Sequence, residues 1–96
     1  MNDLLRYCDQ HAADMLRTLE TLIRLESPST DKPAVDRCGA ALAATLRDIG
    51  GEVGLVRQTD RGDHIRASFA GDGRPVLRLG HFDTVWPLGT LARRPP

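Results

Sequence analysis

The hydrophobic period of this chain changes once, at Gly50-Gly51. Before that pair, apolar residues recur at steps of three and four, as on amphipathic helices. After it they alternate one in two, as on half-buried strands. Both periods in that order confine the chain to layer architectures in which helices cover a sheet. The expected class is α/β or α+β, with two N-terminal helices followed by strands of a mixed sheet.

Leu4, Cys8, Ala12, Met15, Leu19, Leu22 and Ile23 set the first apolar stripe, widened by Leu5, Leu16 and Leu25. Asn2 or Asp3 can cap this helix. Asp14 with Arg17 and Glu20 with Arg24 stand at helical pair spacings on its wet side. The helix is expected to end near Glu26, because Ser27 precedes Pro28 and the residue before proline avoids helical geometry. Residues 27–32 read as a loop. Thr30 or Asp31 can cap a second helix with Pro33 in its first turn. Val35, Cys38, Leu42, Leu46 and Ile49 form its stripe, and Gly39 with Ala40, Ala41, Ala43 and Ala44 keeps its surface slim. Gly50-Gly51 supplies the left-handed residue that ends it.

Val53, Leu55 and Arg57 then alternate as a short strand, and Ile65, Ala67 and Phe69 as a second. A third run, Val76-Leu77-Arg78-Leu79, follows the turn Gly71-Asp72-Gly73-Arg74 and is expected to pair antiparallel with the second.

The 96 residues amount to one domain or less. Thirteen basic residues balance 13 acidic ones, which argues against a nucleic-acid or membrane-surface module. No apolar run approaches the roughly 18 residues of a membrane span. The first residues lack the basic-then-apolar order of a secretory signal, so a cytoplasmic location is expected. Two cysteines thirty residues apart do not make a disulfide framework.

The informative segment is Gly80-His81-Phe82-Asp83-Thr84-Val85, directly after the third run. Ligands of open α/β sheets bind beyond strand carboxyl ends, where His81 is expected. In extended backbone, residues 81 and 83 project to one side. Asp83 could then accept the second ring N–H of His81, fixing its tautomer and raising its basicity as a metal ligand. One His and one carboxylate do not close a zinc site, which takes three protein ligands when catalytic.

The run from Leu77 to Leu91, through Gly-His-Phe-Asp-Thr-Val and Trp86-Pro87-Leu88-Gly89-Thr90-Leu91, resembles the first metal motif of a zinc hydrolase family. That family comprises glutamate carboxypeptidases, acetylornithine deacetylases, succinyl-diaminopimelate desuccinylases and aminoacylases. The upstream order is similar too: a long helix, the Glu26–Thr30 loop, a helix ending in Gly-Gly, then strands. The Val-Trp-Pro-x-Gly-Thr-Leu wording looks most like the glutamate carboxypeptidase branch.

The resemblance implies that His81 is a zinc ligand and that Asp83 supports it and is catalytic. It implies two zinc ions, a metal-activated water and a peptide or N-acyl amino acid substrate. The family's other ligands, its general base and its dimerisation domain are expected beyond residue 96. Residues 1–96 thus read as the N-terminal part of a metallohydrolase catalytic domain, apparently truncated and inactive alone. Pro95-Pro96 stands where relatives tend to have Arg-Pro-Phe. The rival reading is a non-catalytic remnant acting as a small interaction or structural module, and either way the isolated chain is expected to be marginal or associating.

Other residues read as ordinary. His11 is expected at the edge of the first stripe, His64 in a turn, Cys8 and Cys38 as buried small hydrophobes, and Trp86 in the core. Ser27, Ser29 and Thr30 lack a nucleophile-elbow context. Arg93-Arg94 reads as a solvated tail.

Overall fold

The computed structural model describes residues 2–96. Helix α1 spans Asn2–Ile23 and α2 spans Lys32–Asp48. Strands β1 (Glu52–Val56) and β2 (His64–Ser68) follow, then a single turn of helix, α3 (Thr90–Arg93). Both expected helices and the first two strands are present, in the α/β order read from the sequence.

Each boundary has a local cause. Asn2 and Asp3, the expected caps, lie inside α1 instead, with Asp3 in its first turn. The helix stops three residues before the expected end, although the Arg24 and Leu25 N–H groups still bond back to Glu20 and Leu22. Asp31, one of the two expected caps, accepts the Ala34 N–H at 3.1 Å, with proline in the first turn. At the far end Gly50 has φ +96°. The Gly51 N–H bonds Leu46 O at 2.9 Å and the Gly50 N–H bonds Arg47 O at 3.0 Å, the paired bonds of a left-handed C-cap.

β1 and β2 pair antiparallel, with Leu55 opposite Ile65 and Val56 opposite His64. This hairpin packs on α2. The buried apolar side chains are few among the described residues: Ala34, Val35, Cys38 and Ala43 on α2, and Pro28 in the loop before it. The turn before β2 is drawn onto the start of α2. Lys32 Nζ lies 2.8 Å from Asp63 Oδ1 and 3.1 Å from Asp36 Oδ2. Asp36 also accepts the Asp63 N–H, and Asp63 accepts the Gln58 N–H, each at 2.8 Å. Gly62 is a steric requirement of this seam, since a Cβ there would lie 2.1 Å from Val35 Cγ1.

The third run differs from the sequence expectation. Residues 76–79 form no strand and make no pairing with β2, and Val76, Leu77 and Leu79 are more than four-fifths exposed. A strand exists only through a partner's hydrogen bonds, and no described segment pairs with this run, the outer edge of β2 included. The sheet is therefore a two-stranded antiparallel hairpin. Parallel pairing enters only as one bridge between Pro28 and Thr84.

Helix α1 buries none of its residues, and Leu4, Leu5, Leu16 and Leu19 are all more than half exposed. Cys8, expected in the core, is exposed with them, whereas Cys38 is buried. The accessible surface is 8037 Å², against about 5,400 Å² for a compact 10.5 kDa monomer. The radius of gyration is 15.3 Å, against about 13 Å for a compact chain near this length. No helix among the described residues is long and apolar enough to cross a membrane.

Candidate active site

The loop 80–85 is held by the tetrapeptide Glu26-Ser27-Pro28-Ser29, which α1 delivers after its last turn. The Thr84 N–H donates to Ser27 O at 2.8 Å and the Ser29 N–H donates to Thr84 O at 2.9 Å, forming the parallel bridge. Ser27, 3% exposed, donates its hydroxyl to Phe82 O at 2.6 Å. Buried polar atoms need such partners, and this one has it. Ser29 donates to Asp83 Oδ2 at 2.6 Å, with Thr84 O a longer alternative at 3.1 Å.

Between the two site residues, Phe82 projects the other way and rests on α2. A Cβ on Gly39 would stand 3.2 Å from its ring and 3.5 Å from Ile65 Cδ1. The slim surface of α2 thus admits the aromatic ring that fastens the loop.

His81 and Asp83 are brought together as the His-x-Asp spacing suggests. His81 Nδ1 lies 3.3 Å from Asp83 Oδ1 and 3.1 Å from the Asp83 main-chain oxygen. The His81 side chain is 83% exposed, whereas Asp83 is half sheltered. The Ser29 hydroxyl holds the Asp83 carboxyl below the usual carboxylate range, opposed by partial burial and assisted by His81. Asp83 is thus an anion beside a ring nitrogen.

After the motif, Glu26 takes over the anchoring. Its carboxylate accepts the Gly89 N–H through Oε1 and Oε2, each at 3.1 Å, and the Leu91 N–H through Oε2 at 3.2 Å. Gly89 precedes α3 at φ +94°, which favours glycine. Trp86, expected in the core, is 58% exposed. It lines an open groove with Leu22, Ile23 and Leu91.

The remaining expectations resolve simply. His11 donates its Nδ1–H to Tyr7 O, 2.8 Å away, and stacks on the Tyr7 ring. His64 is exposed and opens β2 rather than lying in a turn. Burial pushes the Cys38 thiol up, which suits an inert core residue. Arg93 closes the last turn of α3.

Sequence reasoning found His81 and Asp83 but not Glu26, Ser27, Ser29 and Phe82 as their supports. One signal was available for Phe82: the alternation that puts 81 and 83 on one side puts 82 on the other. The polar supports lie more than fifty residues away in sequence, and no periodicity reports such pairs.

No group of three or more His, Cys, Asp or Glu side chains that could hold a metal ion occurs among the described residues. The pair fits one position of a metal site. With Nδ1 turned to two oxygens, Nε2 is the ring nitrogen that could take a cation.

Comparison with known proteins finds a carboxypeptidase. The chain is 31% identical over 84 residues to Carboxypeptidase G2 of Pseudomonas sp. (strain RS-16). The match takes in 84% of this chain and 20% of that protein. The chain therefore spans about a fifth of the length of the relative it matches, and over that stretch it is carboxypeptidase-like. No family model matches the chain, and no solved structure does.

Proposed function

We propose that residues 1–96 are the N-terminal part of a zinc-dependent amide hydrolase of the glutamate carboxypeptidase type. The carrying observation is the His81–Asp83 pair, with Nδ1 facing the carboxylate and Nε2 left over. The likeness to a carboxypeptidase supports the same reading. His81 would be one ligand through Nε2, the other ligands coming from outside residues 2–96. Zinc, when bound, supplies a Lewis acid and lowers the pKa of a bound water to about 7. This chain's own part is to keep the Nδ1 proton on His81, oppose the ring with a fixed negative charge, and hold both on a loop tied down by Ser27, Ser29 and Phe82. The bond cleaved would be a peptide or N-acyl amino acid amide.

One His and one carboxylate provide too few ligands and no free general base, so the 96-residue chain by itself is expected to be catalytically silent. The test has two arms. Zinc added to the purified chain should perturb the His81 ring signals, and His81→Ala should abolish that response. Peptide and N-acyl amino acid substrates should remain intact. Absence of any His81-dependent zinc response would remove the metal role, and chelator-sensitive hydrolysis would overturn the expected silence.

A further inference from the structure

We propose that Ser29 is a positioning residue, whose hydroxyl fixes the Asp83 carboxylate so that His81 is held as the Nδ1–H tautomer with Nε2 as its free electron pair. The chemistry of the contacts requires that order. The Ser29 hydroxyl has one proton and two acceptors in reach, Asp83 Oδ2 at 2.6 Å and Thr84 O at 3.1 Å. The shorter, charged acceptor takes it. With Oδ2 so occupied, Oδ1 is the oxygen turned to His81 Nδ1, 3.3 Å away. The second neighbour of Nδ1 is the Asp83 main-chain oxygen at 3.1 Å. A carboxylate and a carbonyl accept only, so the proton between them and the ring belongs to Nδ1.

Ser29 is suited to this task because its backbone is fixed independently of its hydroxyl. Its N–H donates to Thr84 O, and its carbonyl accepts from Arg61 Nη1 at 3.2 Å. The carboxylate torsion of an aspartate is intrinsically broad, and among the described residues Ser29 is the side chain that donates a hydrogen bond to it within the 3.1 Å of an ordinary contact. Removing the hydroxyl therefore frees the carboxylate while leaving the 28–84 bridge intact.

The catalytic meaning of this role rests on the hydrolase reading, but its test does not. Ring nitrogen-15 spectra of the metal-free 96-residue chain, at a pH where His81 is neutral, report the tautomer directly, with His81→Gln assigning the signal. The wild-type ring should be mainly Nδ1–H. Ser29→Ala and Ser29→Val should move the tautomer ratio toward Nε2–H by roughly twofold to tenfold, the size carried by one net hydrogen bond. Ser29→Thr, which keeps the donor, should restore it. Amide-exchange protection at Thr84 should be unchanged throughout.

A wild-type Nε2–H ring, an unaltered ratio in Ser29→Ala, or failure of Ser29→Thr to restore it overturns the proposal. So does loss of Thr84 protection in Ser29→Ala, which would make Ser29 a general fastening of the loop. Failure of the hydrolase reading would appear instead in the zinc response at Nε2, with the metal-free ratio untouched.

Discussion

The two long helices differ in a way their sequences do not advertise. Helix α1 has the larger side chains and the longer stripe, yet it buries no residue. Helix α2 packs mostly small residues, Ala34, Cys38, Gly39 and Ala43 beside Val35, yet it supplies most of the buried apolar side chains. Amphipathicity shows that a helix has a face to cover, not that anything covers it. α2 is covered because the β1–β2 hairpin and the Phe82 ring reach it. Gly39 and Gly62 allow those approaches. α1 is held chiefly at its end, where the 26–29 turn grips the loop of the candidate site.

The contrast predicts unequal responses to truncation. Val35→Ala should cost about 2–3 kcal/mol, the sum of lost burial and a residual cavity. Leu16→Ala on the exposed stripe of α1 should stay within about 0.5 kcal/mol. Urea denaturation of both variants decides it, and equal losses would mean that α1 is covered in solution. Gly62→Ala ranks next. Its Cβ would meet Val35 Cγ1 at 2.1 Å, and overpacking of this kind costs about 1–2 kcal/mol. An unchanged urea midpoint would show that the 58–63 turn is not seated on α2.

The ion-pair seam gives a pH signature. The Lys32 ammonium, and then the Gln58 N–H, hold the Asp63 carboxyl below its ordinary value of 3.8. Asp63 raises the Lys32 ammonium above 10.5. A depressed carboxyl contributes stability above its unfolded pKa, and that contribution is lost as pH falls through the folded value. A raised ammonium contributes below 10.5 and loses its contribution as pH rises through its folded pKa. Stability should therefore fall on acidification below pH 3.8, and Asp63→Asn should flatten that fall. A wild-type acid profile in Asp63→Asn would exclude the seam as its source.

The smallest expected effect is at Glu26. Glu26→Gln keeps one acceptor oxygen and loses the charge, so the Gly89 and Leu91 amides should exchange faster while those of α2 do not. Spread of the effect into α2 would join the two regions into one cooperative unit.

The candidate site was legible as a pair and illegible as a structure. His-x-Asp after an apolar run, with a Gly before it and a Thr-Val after it, pointed to His81 and Asp83, and the backbone does bring them together. The apolar run itself was misread as a strand. Val76, Leu77 and Leu79 have strand composition, but composition supplies only half of a strand. Trp86 was misplaced for a related reason: a large aromatic residue enters a core only where other elements enclose it.

What the sequence determined by itself is local. The cap at Asp31, the left-handed ending at Gly50, the hairpin strands and the alternation that sets 81 and 83 on one side all follow from neighbours within a few residues. Only the tertiary structure decided which apolar faces are covered and which distant polar groups support the loop. The bonds from Ser27 to Phe82 and from Ser29 to Asp83 cross more than fifty residues. Their formation depends on α1 delivering one turn and α2 receiving one aromatic ring, and no local rule of spacing contains that information.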